Sequence, residues 1–370
     1  MFTLPAYREP DFGSSPLSDA PDALLAPVEV DGVAPEGFHS TSMYPEYVRV
    51  GGRWLLARHS RMDASIVVGR DASGAPELRV VENRNLLRGD LVVLGRSEDG
   101  SEGVFVHPDG FASPSQEGED SDTFAFRQGR SRETAFASDY DRLYGLLRHE
   151  REHGSVVWVM GPAFAFDADA RHAMQLMVEG GYVDGIMAGN ALATHDLEAA
   201  TLHTALGQDI YTQRSQRNGH YNHLDVINRV RRAGGVEAFV RQEGIEDGIV
   251  ASCVRRGAPM VLAGSIRDDG PLPDVLGDAY EAQGAMRRML EGATTVICLA
   301  TMLHTIAAGN MTPSYTVMPD GTVRPVYFYA VDVSEFVVNK LLDRGSLSAT
   351  PIIANVQDFI TILARGLDLM

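Results

Sequence analysis

Three charged residues in succession, Arg267, Asp268 and Asp269, follow an apolar run at 259–263 and precede a Gly270-Pro271 turn. A loop carrying one guanidinium and two carboxylates is costly to fold without a purpose, and the carboxyl end of a parallel strand delivers such a loop into the ligand crevice. A self-neutralising surface salt bridge is the plain competing explanation. The residues that end other apolar runs tilt the choice towards chemistry. Gly161, Pro162 and Ala163 end one; Gly189, Asn190 and Ala191 a second; Gly264, Ser265 and Ile266 a third; Ala300, Thr301 and Met302 a fourth; Asp332 and Val333 a fifth. Small residues let a ligand approach the main chain, and amides at helix N-termini attract phosphate. An acidic residue at a strand end, here Asp332, is the usual acceptor for ribose hydroxyls. Five such ends suit a dinucleotide lying across the carboxyl edge of one sheet, although no G-x-G-x-x-G follows the first strand of that part of the chain.

The histidines carry less. His304 stands in the turn after Thr301, and His195 with Asp196 follows Asn190. A lone histidine is more often a hydrogen-bonded structural residue than a catalyst. His220 and His223 flank Tyr221 and Asn222, but no third ligand has matching spacing, so no metal is expected. Arg229, Arg231 and Arg232 precede Gly234-Gly235, where cations complement a helix C-terminus. Cys253 and Cys298 sit in helical and apolar surroundings. They read as free core thiols of a reducing, cytoplasmic compartment.

The elements that must position these residues follow from periodicity. After 134, strands at 155–160, 182–188, 260–263, 295–300, 325–332 and 351–354 alternate with helices near 169–179, from 192, 280–290, 302–308 and 358–367. A further helix after Asp332 would place Phe336, Val337 and Leu341 on one face. This alternation means βαβ units, a mostly parallel sheet and an α/β, Rossmann-like domain over 134–370. Residues 24–133 read as a small β-rich domain of short strands, with a glycine hairpin turn at Gly51-Gly52 and a polar, acidic linker at 114–122. Residues 1–23 read as an arm. A chain of 370 residues accommodates both domains, and a net charge of −18 argues against a nucleic-acid or anionic-membrane partner. Neither a signal peptide nor an apolar run of membrane-spanning length is evident.

At these residues the sequence resembles a known family. The run 188–198, with Gly189, Asn190, His195 and Asp196, the run 222–234, the run 299–310 and the run 343–346 are similar to the LOR/SDH-region family. So are 34–42 and 61–68, and the likeness spans about residues 30–368. This is the archaeal-type, NAD-dependent ornithine cyclodeaminase family, also found as the C-terminal part of cyanobacterial arginine dihydrolases. No room is left upstream for an arginine dihydrolase domain. The resemblance implies a deoxyhypusine-synthase-type Rossmann variant holding NAD, with a small amino-acid substrate and a homo-oligomeric assembly. It also implies a closed redox cycle. A hydride leaves Cα of ornithine for NAD, the terminal amine attacks the imine, ammonia departs, and the cyclic imine takes the hydride back to give proline. Asp268 or Asp269 would be the base, Arg267 would meet the substrate carboxylate, and His304 would share the catalytic site. The five strand ends, with His195, Asp196 and Asn222, would line the cofactor. The sequence departs from the family at Ser42-Met43-Tyr44-Pro45, at Tyr221, at Asp225 and within 127–133. Those departures bear on the amino-acid tail more than on NAD. An amino-acid dehydrogenase or transfer enzyme that releases NADH, and a catalytically lapsed NAD-binding protein, remain open as alternatives.

Overall fold

The computed structural model describes residues 2–111, 137–268, 270–334 and 349–370. Seven short strands precede residue 107: β1 (Leu25–Pro27), β2 (Glu46–Val50), β3 (Arg53–Leu56), β4 (Ser65–Arg70), β5 (Pro76–Val81), β6 (Leu91–Val93) and β7 (Val104–Val106). They form an antiparallel sheet of order β1-β6-β4-β5 and a second of order β3-β2-β7. Gly51 and Gly52 turn the β2–β3 hairpin with φ of 60° and 74°, values that glycine adopts at little cost. Adjacent residues of β4 point to opposite faces, so Ile66 joins a core with Val48 and Val104 while Val67 joins another with Leu86 and Val92.

The rest of the chain is built on one parallel sheet. Its strands are β8 (Val156–Met160) and β9 (Gly185–Gly189), then, after the small hairpin of β10 (Thr204–Ala205) and β11 (Gln208–Asp209), β12 (Met260–Ala263) and β13 (Thr295–Leu299). A second hairpin, β14 (Tyr315–Val317) and β15 (Val323–Pro325), precedes β16 (Tyr327–Asp332) and β17 (Ala349–Ile353). The order is β12-β9-β8-β13-β16-β17, so the first strand is central and the winding reverses between β8 and β13. This is the doubly wound Rossmann arrangement. The helices are α1 (Ala137–His153), α2 (Ala168–Glu179), α3 (Asn190–Leu202), α4 (Asn222–Ala233), α5 (Val236–Glu243), α6 (Ile249–Arg256), α7 (Ala279–Leu290), α8 (Met302–Met311) and α9 (Val356–Gly366). Side chains of β8 alternate between two cores: Val156, Trp158 and Met160 face α1, α2 and α9, while Val157 and Val159 face α7 and α8. Burial on both faces is why these strands read as unbroken apolar runs. The helix expected after Asp332 lies outside the described residues, as do the linker at 114–122 and the run 343–346.

The β-rich domain packs along α7. The Glu82 carboxylate takes Arg61, Arg84 at 2.7 Å and Arg287 at 3.1 Å. Arg84 also lies over the Tyr280 ring, 4.8 Å from its centroid. At the opposite end of the parallel sheet from the carboxyl edge, Arg324 and Glu150 form a buried ion pair to which Thr294 also donates.

Candidate active site

All five expected strand ends lie along one margin, as parallel pairing requires: β12 with β9, β9 with β8, β8 with β13, and β13 with β16 are in register. The tightest contact on that margin is at the winding reversal. Gly161 donates its amide to Leu299 O at 2.9 Å, and a Cβ placed on Gly161 would fall 2.1 Å from Ala300 O. Only glycine fits there. Ala300 takes a φ of +50°, a left-handed conformation that an L-residue holds at a cost of about 1–3 kcal/mol, and its amide donates to Val331 O. Pro162 then opens a short 3-10 turn, and Gln357 of α9 fixes Ala163 O at 2.8 Å.

Two helices start on this margin without a side-chain cap: α3 after Gly189 and α8 after Thr301. Their first-turn amides, including those of Ala191 and Met302, are the anion-attracting groups of the edge. Asn190 does not cap α3. Its Oδ1 accepts from Leu272 N at 3.0 Å and from Thr194, which ties α3 to the loop after β12.

That loop is a compact turn. Gly264 donates to Leu276 O at 2.8 Å, and a Cβ on Gly264 would sit 2.9 Å from that oxygen. The Asp268 carboxylate accepts from Ser265 N at 2.9 Å, and Asp268 N donates back to Ser265 O at 3.0 Å. Ile266 and Arg267 project to solvent from the crest, and Arg267 has no ion pair among the described residues. The self-neutralising salt bridge is therefore not seen among them. Asp269 lies outside the described residues.

His304, on the first turn of α8, packs against Gly189: a Cβ on Gly189 would be 3.3 Å from its Cε1. Burial lowers the His304 pKa below its usual value, and the Asp268 charge opposes that shift. Its Nδ1 is 3.4 Å from Thr301 Oγ1. Burial thus favours the neutral form of this imidazole at the strand ends. At the far end of the margin, Asp332 accepts from Ser334 N at 2.9 Å, and Val333 is exposed.

Three expected cofactor residues are engaged within the fold. Asp196 is fully buried, and its oxygens accept from Arg171 at 2.7 Å and from the Ile249 and Val250 amides. It closes the N-terminus of α6, with three of its four lone-pair sites taken. His195 pairs with Glu198 at 2.9 Å, and Asn222 donates to Thr204 at 2.8 Å beyond the end of α3. Burial would raise the Glu198 pKa, but hydrogen bonds from His195, Thr204 and the Gly207 amide bring it below its usual value. Glu198 and Thr204 are the members of this cluster that sequence reasoning left without a role. Their signal was the spacing of His195 and Glu198, one helical turn apart. The Ala300 backbone conformation had no signal, because alanine does not announce a positive φ.

Both cysteines are buried, as expected, and burial pushes the Cys253 thiol up to about 12 and Cys298 still further. Among the described residues no group of acidic, histidine or cysteine side chains is arranged to hold a metal ion, and no helix is long and apolar enough to cross a membrane. A cavity of about 850 Å³ lies away from this edge, beside the arm and the β14–β15 hairpin. Volume is a poor guide here. Residues 335–348 lie outside the described residues.

Known proteins match this framework closely. Residues 144–363 match the family model described as arginine dihydrolase ArgZ-like, C-terminal, Rossmann fold. An ornithine cyclodeaminase of Methanopyrus kandleri is 38% identical over 357 residues, 96% of this chain and 81% of that protein. The crystal structure of a LOR/SDH protein from Methanococcus maripaludis superposes with a TM-score of 0.83 at 34% identity, covering 94% of this chain and 98% of the other. A ternary complex of AgrE with ornithine and NAD+ superposes with a TM-score of 0.59 at 33% identity, covering 95% of this chain and 46% of that one.

Proposed function

The chain belongs to the ArgZ-like C-terminal Rossmann family, whose relatives include the archaeal ornithine cyclodeaminases, and from that premise we propose that it is an NAD-dependent cyclodeaminase converting ornithine, or a close basic relative, to proline with release of ammonia. The observation that carries this reading is the winding reversal between β8 and β13, the place where doubly wound sheets bind nucleotides. The uncapped N-termini of α3 and α8 would hold the pyrophosphate, and Asp332 would take ribose hydroxyls. NAD, when bound, would supply hydride acceptance and return.

The chain's own residues would do the rest. Arg267, unpaired at the loop crest among the described residues, would take the substrate carboxylate. His304, held neutral by burial, would accept a proton from the substrate ammonium at Nε2 or Nδ1 and return it to departing ammonia. Asp268 would keep the resulting imidazolium from being too costly. Asp269 stands beside these groups in the sequence and remains a second candidate base.

The test is to incubate the protein with NAD and L-ornithine and to follow ammonia, proline and NADH together. Equal amounts of ammonia and proline with no accumulated NADH are expected. NADH rising in step with ammonia would replace this reading with a simple dehydrogenase.

A further inference from the structure

We propose that the cavity beside the N-terminal arm is a second small-molecule site, separate from the carboxyl edge, that takes an organic amine on a short alkyl body. At about 850 Å³ it has the size of ligand-binding pockets in general. Three parts of the chain wall it: arm residues 4–9, the β2–β3 and β4–β5 hairpins of the β-rich domain, and the β14–β15 hairpin of the Rossmann domain. A ligand here would join all three.

The wall chemistry selects a cation. Glu9, Asp71 and Glu77 contribute three carboxylates. Against them stand Arg58, which has no ion pair among the described residues, and Arg324, whose charge Glu150 already answers. Arg324 is only 1% exposed, and its Nε is buried without a hydrogen-bond partner among the described residues. Aromatic faces add to the preference. Tyr7 and Tyr47 share a hydrogen bond of 2.7 Å between hydroxyls, Glu9 lies close enough to oppose ionisation of both, and Trp54 stacks on Phe12 at 5.3 Å. Ammonium groups bind such faces. Leu55, Leu78 and Val323 offer apolar surface for the alkyl body. A free diamine and the side chain of a basic amino acid share this chemistry; the amino acid brings a carboxylate that Arg58 would take.

The chain has two tryptophans, and this gives a direct readout. Trp158 is wholly buried in the parallel sheet, whereas Trp54 lines the cavity. Titrating the full chain with 1,4-diaminobutane should change tryptophan emission saturably, and glutarate should not. L-arginine binding more tightly than the diamine would identify the amino acid as the source, and the reverse order the free amine. The double variant Glu9→Gln/Glu77→Gln should bind the diamine about tenfold more weakly while ornithine turnover stays unchanged. Equilibrium dialysis of Trp54→Phe should still show bound diamine without the emission change. Absence of both saturable emission change and retention in dialysis overturns the proposal, as does undiminished binding by the double variant.

Discussion

Helix N-termini in this molecule are of two kinds. α2 is closed by Asp167, α6 by Asp196, α7 by Asp278 and α9 by Asn355, each accepting from first-turn amides, and Asp274 does the same for Val236 at the start of α5. α3 and α8 have no such acceptor, and both begin on the carboxyl edge. α4, the other helix here without a side-chain cap, is entered through a 3-10 turn instead. The contrast separates carboxylates that build the fold from positions left free for a bound anion. An acidic residue near a strand end is therefore ambiguous until its lone pairs are traced: those of Asp196 are spent on α6 and Arg171, and that of Asp332 only on the next turn.

The largest effect is expected where a closing carboxylate is also an ion-pair partner. Asp196→Ala should leave the Ile249 and Val250 amides bare and Arg171 with Asp247 as its remaining carboxylate partner, at a cost of about 3 kcal/mol of stability read from urea unfolding. Loss of NAD affinity at unchanged stability would instead return Asp196 to the cofactor site and break the distinction. Next comes Gly161→Ala on the open side. The new methyl would meet main chain rather than a movable side chain, so β8 and β13 must part at their ends. A displacement approaching 1 Å should lower turnover about a hundredfold, with intact secondary structure by circular dichroism.

These two residues also mark how far the sequence could be read. Gly161 was singled out as one of five strand ends that together suit a dinucleotide, a single glycine turn being unremarkable, and the parallel sheet followed from the alternation of runs. The strand order was not foreseen, since periodicity says nothing about which strands are neighbours. The contacts of Asp196 had no signal, because the partner that claims it, the start of α6, lies 53 positions away in the chain. Nor had that of Asn222, whose partner Thr204 lies across the β10–β11 hairpin. Arg267 and Asp268 were read together as one charged loop, but that Asp268 closes its own turn depends on backbone geometry that no residue pattern encodes.

A smaller effect tests the closed set alone. Asp278 accepts from Tyr280 N and Glu281 N and has no part in the proposed chemistry. Asp278→Ala should cost about 1 kcal/mol in unfolding experiments and leave kcat unchanged. A fall in kcat would mean that α7, too, serves the edge.

The smallest effect, and the sharpest on the open side, is in pH dependence. Burial holds the His304 pKa below the ordinary 6.5, so the folded protein binds fewer protons there than the unfolded chain. The stability associated with His304 is then complete above 6.5 and declines as pH falls from 6.5 towards the lower folded value. If neutral His304 accepts the substrate proton, the acid limb of kcat should lie below 6.5 as well. The charge of Asp268 raises the His304 pKa, so Asp268→Asn should carry that limb further to the acid side, not back towards neutrality. A limb that stays in place in the variant would uncouple the two residues and move the proton-transfer role to Asp269.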